Sequence, residues 1–379
     1  MIDTVILSIP KSAITFLNEA KWDLSARTIG YERYIKNPWK KEKDSGLYFP
    51  RLSGYKTRWK VDQDFVRIEF SVPKILFLNN LTELRDTDFE SLIKTLQERL
   101  KIMNIGIENE TLRRASVRCV HFSKNIILRD GYTTSYIIKE LNKVNMRKNI
   151  DMTKARYING GESLCAHTTT HEMIIYDKVS DLKKWTKRAI DKSQTVYQMN
   201  LFEPIQKAKT EILRIEIRLS DTNKMNRILE KLWYNKNPHF FEVFNTEMSQ
   251  KALLYYWKTY IIDWALGTHS TLTTPHEILT ACLSKKCKLK DAIYLTGLVL
   301  LSRDGDGVRD LRTIITKNAH ERTWYRTVSD LKKMETILAD IQYPRSWVTQ
   351  LEKALKEYAP IKKEVVQEFF SKITWCKQK

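Results

Sequence analysis

The stretch Ile212-Leu213-Arg214-Ile215-Glu216-Ile217-Arg218-Leu219 alternates apolar and charged residues without a break. In an extended chain successive side chains point to opposite faces, so Leu213, Ile215, Ile217 and Leu219 share one face and Arg214, Glu216 and Arg218 the other. The first face is core, and the second carries chemistry or meets solvent. The same rule over residues 65–70 sets Val66, Ile68 and Phe70 against Arg67 and Glu69. Two strands therefore each present a carboxylate beside arginine.

Outward from these strands, residues 3–9, about 115–123 and 172–178 also have strand character, and a helix is expected near 133–146. Phe89, Leu92, Ile93, Leu96 and Leu100 recur at helical spacing and predict an amphipathic helix. From about 222 the pattern changes to long helical segments at 247–266, 276–285, 289–302, 308–317 and 323–341. Thr274, Pro275 and Glu277 make a helix start, since Thr caps, Pro suits the first turn and Glu reaches back to the cap. The chain is thus expected to be α+β. An antiparallel sheet with packed helices fills residues 1–222, a mainly helical domain 223–345 and a helical basic tail 346–379, with the boundary between about 220 and 250. Asp304-Gly305-Asp306-Gly307 resembles a calcium loop, but Ile315 stands where a bidentate Glu is required, so the loop is read as a turn.

Composition narrows the function classes. The 379 residues suffice for one large domain or two, and 42% hydrophobic with 11% aromatic residues excludes a disordered chain. Lysines and arginines number 65 against 45 acids, a formal charge of +20 that calls for a polyanionic partner, nucleic acid or acidic lipid. The opening residues read as a strand rather than a signal, and Lys258 and Asp263 interrupt the apolar stretch 253–266, so a cytoplasmic protein with no membrane span is expected. Five cysteines without a CxxC pair indicate neither a disulfide framework nor a zinc ribbon.

In residues 172–178 a period of two aligns Ile174, Tyr176 and Lys178, placing a phenol and an ammonium on one face. A positive neighbour favours phenolate, and a metal ion on nearby carboxylates withdraws charge from a DNA phosphate, so in-line attack becomes feasible. Taken singly, a strand tyrosine is usually structural and Arg-Glu-Arg is usually a solvated ladder; the combination is what points to a nickase. His121 lies on a strand near Arg118. His167 and His171 flank three threonines, which favour extended chain over a helical metal pair. Trp39, interleaved with four lysines over residues 36–43, suits stacking and phosphate contact with single-stranded DNA.

The order of these motifs resembles the filamentous-phage gene II type and related plasmid rolling-circle replication initiators. The likeness is carried by MIDTVILSIP at Met1, DLSARTIGY at Asp23, RIEFSVPKIL at Arg67, IIYDKVSD at Ile174, LRIEIRL at Leu213 and, more weakly, DAIYLTGLVLL at Asp291. It implies an HUH-nuclease-like fold and a Tyr-x-Lys motif, here Tyr176 and Lys178. The tyrosine nicks one strand, keeps a 5′-phosphotyrosine and later rejoins the strand, while the freed 3′-hydroxyl primes a polymerase. The implied cofactor is Mg²⁺ or Mn²⁺, with Glu69, His121, Asp181 and Glu216 as ligands or their neighbours, and Arg67, Arg118, Arg214 and Arg218 meet DNA phosphates. The implied partners are single- and double-stranded origin DNA and a host helicase and polymerase, in a bacterial or archaeal cytoplasm.

Two departures stand out. Related nucleases carry His-hydrophobic-His on one strand, whereas residues 118–123 hold only His121, so carboxylates must complete the shell. Family members tend to have Glu three residues after the motif lysine, where this chain has the shorter Asp181. Lys178 orients the phosphate, stabilises charge or relays a proton, three roles that the sequence leaves open, as it does a terminating role for Tyr197. The rival readings are a non-catalytic nucleic-acid-binding protein and a relaxase or transposase with the same chemistry. No GxxxxGK[ST] loop supports an ATP-driven initiator.

Overall fold

The structure is a computed structural model that describes residues 1–17, 23–28, 31–35, 46–57, 60–144, 155–158, 163–183, 211–264, 274–305, 307–339 and 347–362. Trp39, its neighbouring lysines and Tyr197 lie outside the described residues. The strands in chain order are β1 (Ile2–Pro10), β2 (Thr15–Phe16), β3 (Asp23–Thr28), β4 (Tyr31–Ile35), β5 (Arg51–Thr57), β6 (Lys60–Ser71), β7 (Ile105–Gly106), β8 (Ser116–Ile127), β9 (Ala155–Ile158), β10 (Ser163–His167), β11 (His171–Asp177) and β12 (Ile212–Leu219). Eight of them form one sheet in the order β5-β6-β1-β8-β12-β11-β10-β9, and every neighbouring pair is antiparallel. The chain is α+β with an antiparallel sheet, as its alternating segments predict.

The alternation in β12 fixes the sheet's orientation. Leu213, Ile215, Ile217 and Leu219 are fully buried on the apolar face, each contributing about 1.5–3 kcal/mol on burial. A one-residue slip would turn all four outward, so the register of β12 between β8 and β11 is tightly specified. Helices 222–231, 246–256 and 347–357 pack against β8 or β12, and helix 134–142 packs on β10 and β11. Helix Phe89–Ile102 buries Leu92, Ile93, Leu96 and Leu100, the stripe read from its spacing.

The apolar core does not break at residue 222. One cluster runs from Met1 to Ile261 and takes in Trp347, Val348, Leu351, Leu355 and Tyr358, whereas a second is confined to residues 278–334. At 222 the chain thus passes from strand to helix within one core, and between residues 334 and 347 it returns from the second cluster to the first. Helix 347–357, expected as part of a basic tail, buries Trp347, Val348, Leu351 and Leu355 in the first cluster. The segment after it is tied down by a buried ion pair between Lys124 and Glu83, with Lys124 Nζ donating to Ala359 O (2.8 Å) and Ile361 N to Glu83 Oε2 (3.1 Å).

In the second cluster Thr274 and Glu277 form the reciprocal cap that their spacing predicts. Among the described residues no helix is long and apolar enough to cross a membrane.

Candidate active site on the polar face of the sheet

Strand register carries the polar residues of β12 into rows with its neighbours. Arg218 stands opposite His121 and Glu172, Glu216 opposite Ser123 and Ile174, and Arg214 opposite Asn125 and Tyr176. Asp3 joins this face through a β-bulge. Ile2 pairs with Phe122 but Thr4 pairs with His121, which leaves Asp3 as the extra residue. A bulge re-aims the side chain it carries, so Asp3 leaves the apolar side shared by Val5, Leu7 and Ile9 and turns toward His121.

Among the described residues Asp3, His121 and Glu216, from three adjacent strands, offer donor atoms that all lie within 4.8 Å of one another. Glu216 is buried and uses both oxygens. Oε2 accepts a 3.1 Å hydrogen bond from the Tyr176 hydroxyl and lies 3.5 Å from Arg214 Nε, while Oε1 lies 2.7 Å from Arg218 Nε and 3.6 Å from His121 Nδ1. Burial alone would raise this carboxyl, but Arg218, Arg214 and His121 outweigh it and hold the group well below its ordinary value. Burial also lowers the His121 imidazole below its usual value. The ring is then neutral at pH 7, the form that binds a metal.

Arg214 has only 1% of its side chain exposed and spends its donors inside the protein: on Asp3 Oδ1 (2.6 Å), Ser123 Oγ (2.9 Å) and Asn80 O (2.9 Å). Its donors are taken by groups of the protein rather than presented to a DNA phosphate, unlike the expected phosphate contact. Arg218, with a third of its side chain exposed, bridges Glu216 and Glu172 and remains within reach of a ligand.

Tyr176 and Lys178 meet, but not as two residues of one strand. β11 ends at Asp177, Lys178 opens helix Lys178–Lys183, and its ammonium comes to 5.5 Å from the centre of the Tyr176 ring. The Asp177 carboxylate makes this turn by accepting from the backbone N–H groups of Val179 and Ser180. Lys178 is buried and lies 3.5 Å from Asp181 Oδ2, and burial, helped by Arg214, lowers its pKa to about 8.

The expectation that Lys178 favours phenolate is also corrected. Burial pushes the Tyr176 phenol well above 10, Arg214 is the cation that opposes this, and Glu216 adds to the rise. The hydroxyl therefore keeps its proton and donates a hydrogen bond to Glu216 Oε2.

The remaining expected residues lie apart from the three donors. Glu69 and Arg67 are exposed on β6, beyond β1, and Asp181 faces Lys178. Arg118 is the extra residue of a second bulge, between the Leu7–Val117 and Ile6–Cys119 pairs, and its carbonyl accepts from Thr222. His167 and His171 end β10 and begin β11 in a hairpin, so they are extended as their threonines suggested.

Sequence reasoning missed Asp3, Ser123 and Asn80. An acid in line with Val5, Leu7 and Ile9 was the available signal for Asp3. No family model, curated protein or solved structure matches the chain.

Proposed function

We propose that the protein nicks and rejoins one strand of DNA at a replication origin through Tyr176, as a rolling-circle initiator with an HUH-like nuclease sheet. The observation that carries this reading is the 3.1 Å hydrogen bond from the Tyr176 hydroxyl to Glu216, itself one of the three clustered donors. Two carboxylates and a neutral imidazole suit a hard divalent ion such as Mn²⁺ or Mg²⁺. Asp3, His121 and Glu216 would hold it, and bound there it supplies Lewis-acid withdrawal of charge from the scissile phosphate.

The chain's own groups do the rest. Glu216 Oε2 holds the Tyr176 hydroxyl in place through its hydrogen bond; Oη bonds to phosphorus as the bond from phosphorus to the 3′ oxygen breaks, and the phenol's proton passes through solvent to that oxygen, which leaves as the 3′-hydroxyl. Lys178, over the ring, and Arg214, across the strand pair, offset the charge developing on Oη. Arg218 steadies the phosphate from the open side of the site.

The helices of the second cluster serve origin recognition, and a host helicase and polymerase follow the nick. Incubating the protein with supercoiled DNA of its own replicon and Mn²⁺ tests this reading. It expects open circles whose 5′ ends are blocked by protein, and intact supercoils throughout would count against it.

One observation favours a second reading, a non-catalytic nucleic-acid-binding protein. Glu216 and Asp3 already have arginine partners, so the cluster balances its charge without an added cation. That protein would bind DNA in a salt-sensitive way and form no covalent product.

A further inference from the structure

Helix Thr222–Lys231 begins directly after β12, capped by the Asp221 side chain, and buries Met225, Ile228 and Leu229 against the sheet. Lys224, Arg227 and Lys231 recur three and four residues apart, so they form one stripe on another face of the helix, about 10 Å long. None of the three has a carboxylate partner among the described residues; Lys231 meets Tyr255, its hydroxyl at 3.4 Å and its ring centre at 5.9 Å. The Lys224 ammonium is lowered by burial and further by Lys231 and Arg227, a group of like charges within range of one another.

The stripe leads to Trp233. The helix ends in a two-bond cap, with Tyr234 N donating to Leu229 O (2.9 Å) and Trp233 N to Glu230 O (3.1 Å). That cap puts the residue at Trp233 in the left-handed region, where glycine is the usual occupant. Trp233 takes a φ of +67° there and leaves 95% of its surface exposed. A bulky side chain is strained in that conformation, and this one recovers nothing by burial.

The loop is nonetheless braced. Asn226 exchanges two hydrogen bonds with Asn237 (2.8 and 2.9 Å), and Lys236 pairs with Glu230 at 2.8 Å. An exposed aromatic ring on a braced loop, at the end of a basic stripe without carboxylate partners, has the make-up of a surface for single strands, on which a base stacks while cations follow the phosphates.

We propose that Lys224, Arg227, Lys231 and Trp233 form a binding track for single-stranded DNA, separate from the nicking site, with Trp233 stacking on a base. The choice of DNA rests on the function proposed above; the track itself rests on charge and on the strained, exposed ring.

The test is anisotropy of a fluorescein-labelled single-stranded oligonucleotide, titrated with protein in chelator across a salt series, so that nicking chemistry plays no part. Trp233→Gly relieves the backbone strain, so it should weaken binding about tenfold without lowering the melting temperature and with the salt slope unchanged. The triple variant Lys224→Gln, Arg227→Gln, Lys231→Gln should reduce the slope of log affinity against log salt by about 2. Wild-type affinity and slope in both variants would overturn the track, whether or not the protein nicks DNA. Loss of binding to phosphatidylglycerol vesicles with oligonucleotide binding intact would also overturn it and assign the surface to a membrane.

Discussion

The Tyr176 hydroxyl reaches Glu216 diagonally across the β11–β12 pair: Tyr176 stands opposite Arg214 and Glu216 opposite Ile174, yet the phenol donates to Oε2 at 3.1 Å. Glu216 in turn balances Arg214 and Arg218. Glu216→Gln keeps an acceptor for the phenol but leaves the buried Arg214 with Asp3 as its one full counter-charge. Breaking a buried pair from one side costs about 3–5 kcal/mol, so urea unfolding of this variant should show a loss of about 3 kcal/mol. A loss below about 1 kcal/mol would mean that the cluster is hydrated and open.

His171 points into the core between Tyr256 and Tyr260, with Nδ1 2.8 Å from Thr168 Oγ1. Burial, with Lys224 adding to it, lowers its pKa from 6.5 to about 4. Between those values the unfolded chain binds a proton that the folded chain does not, so stability falls as pH falls from 6.5 and levels off below about 4. Thermal unfolding across that window should be flatter in His171→Gln than in the parent; identical slopes would refute the assignment.

The pKa of Lys178, lowered to about 8, bears on rate. If its ammonium offsets charge on Oη, nicking slows as pH rises through about 8 because the charge is lost. Lys178→Met should remove that limb and lower the rate about 100-fold or more. An unchanged alkaline limb in the variant would assign it to another group.

Asp3 tests the cation site. In Asp3→Asn the bulge and one oxygen remain but a charge is lost, so Mn²⁺ affinity measured by calorimetry should fall at least about tenfold. Equal affinity in parent and variant would remove Asp3 from the ligand set.

The alternation in residues 212–219 made β12 legible to its ends, and helical spacing located helices 89–102 and 308–318 within two residues. Asp3 was hidden because its parity matches Val5, Leu7 and Ile9, and only the bulge, a pairing event with no local signature, turns it to the other face. Lys178 was misplaced because a period of two continues on paper beyond Asp177, where the Asp177 carboxylate instead ends the strand. The depth of Arg214 was likewise invisible, since Asn80 and Ser123, which take its donors, lie 134 and 91 residues away in sequence.

The most direct measurement is mass spectrometry of denatured protein after incubation with single-stranded DNA of its own replicon and Mn²⁺, in parallel with Tyr176→Phe. The phenylalanine lacks only the hydroxyl that meets Glu216, so the fold is kept. The account predicts a nucleotide adduct on the peptide containing Tyr176 and none in the variant. DNA binding by both proteins with no adduct on either, or an adduct that persists in Tyr176→Phe, would contradict it.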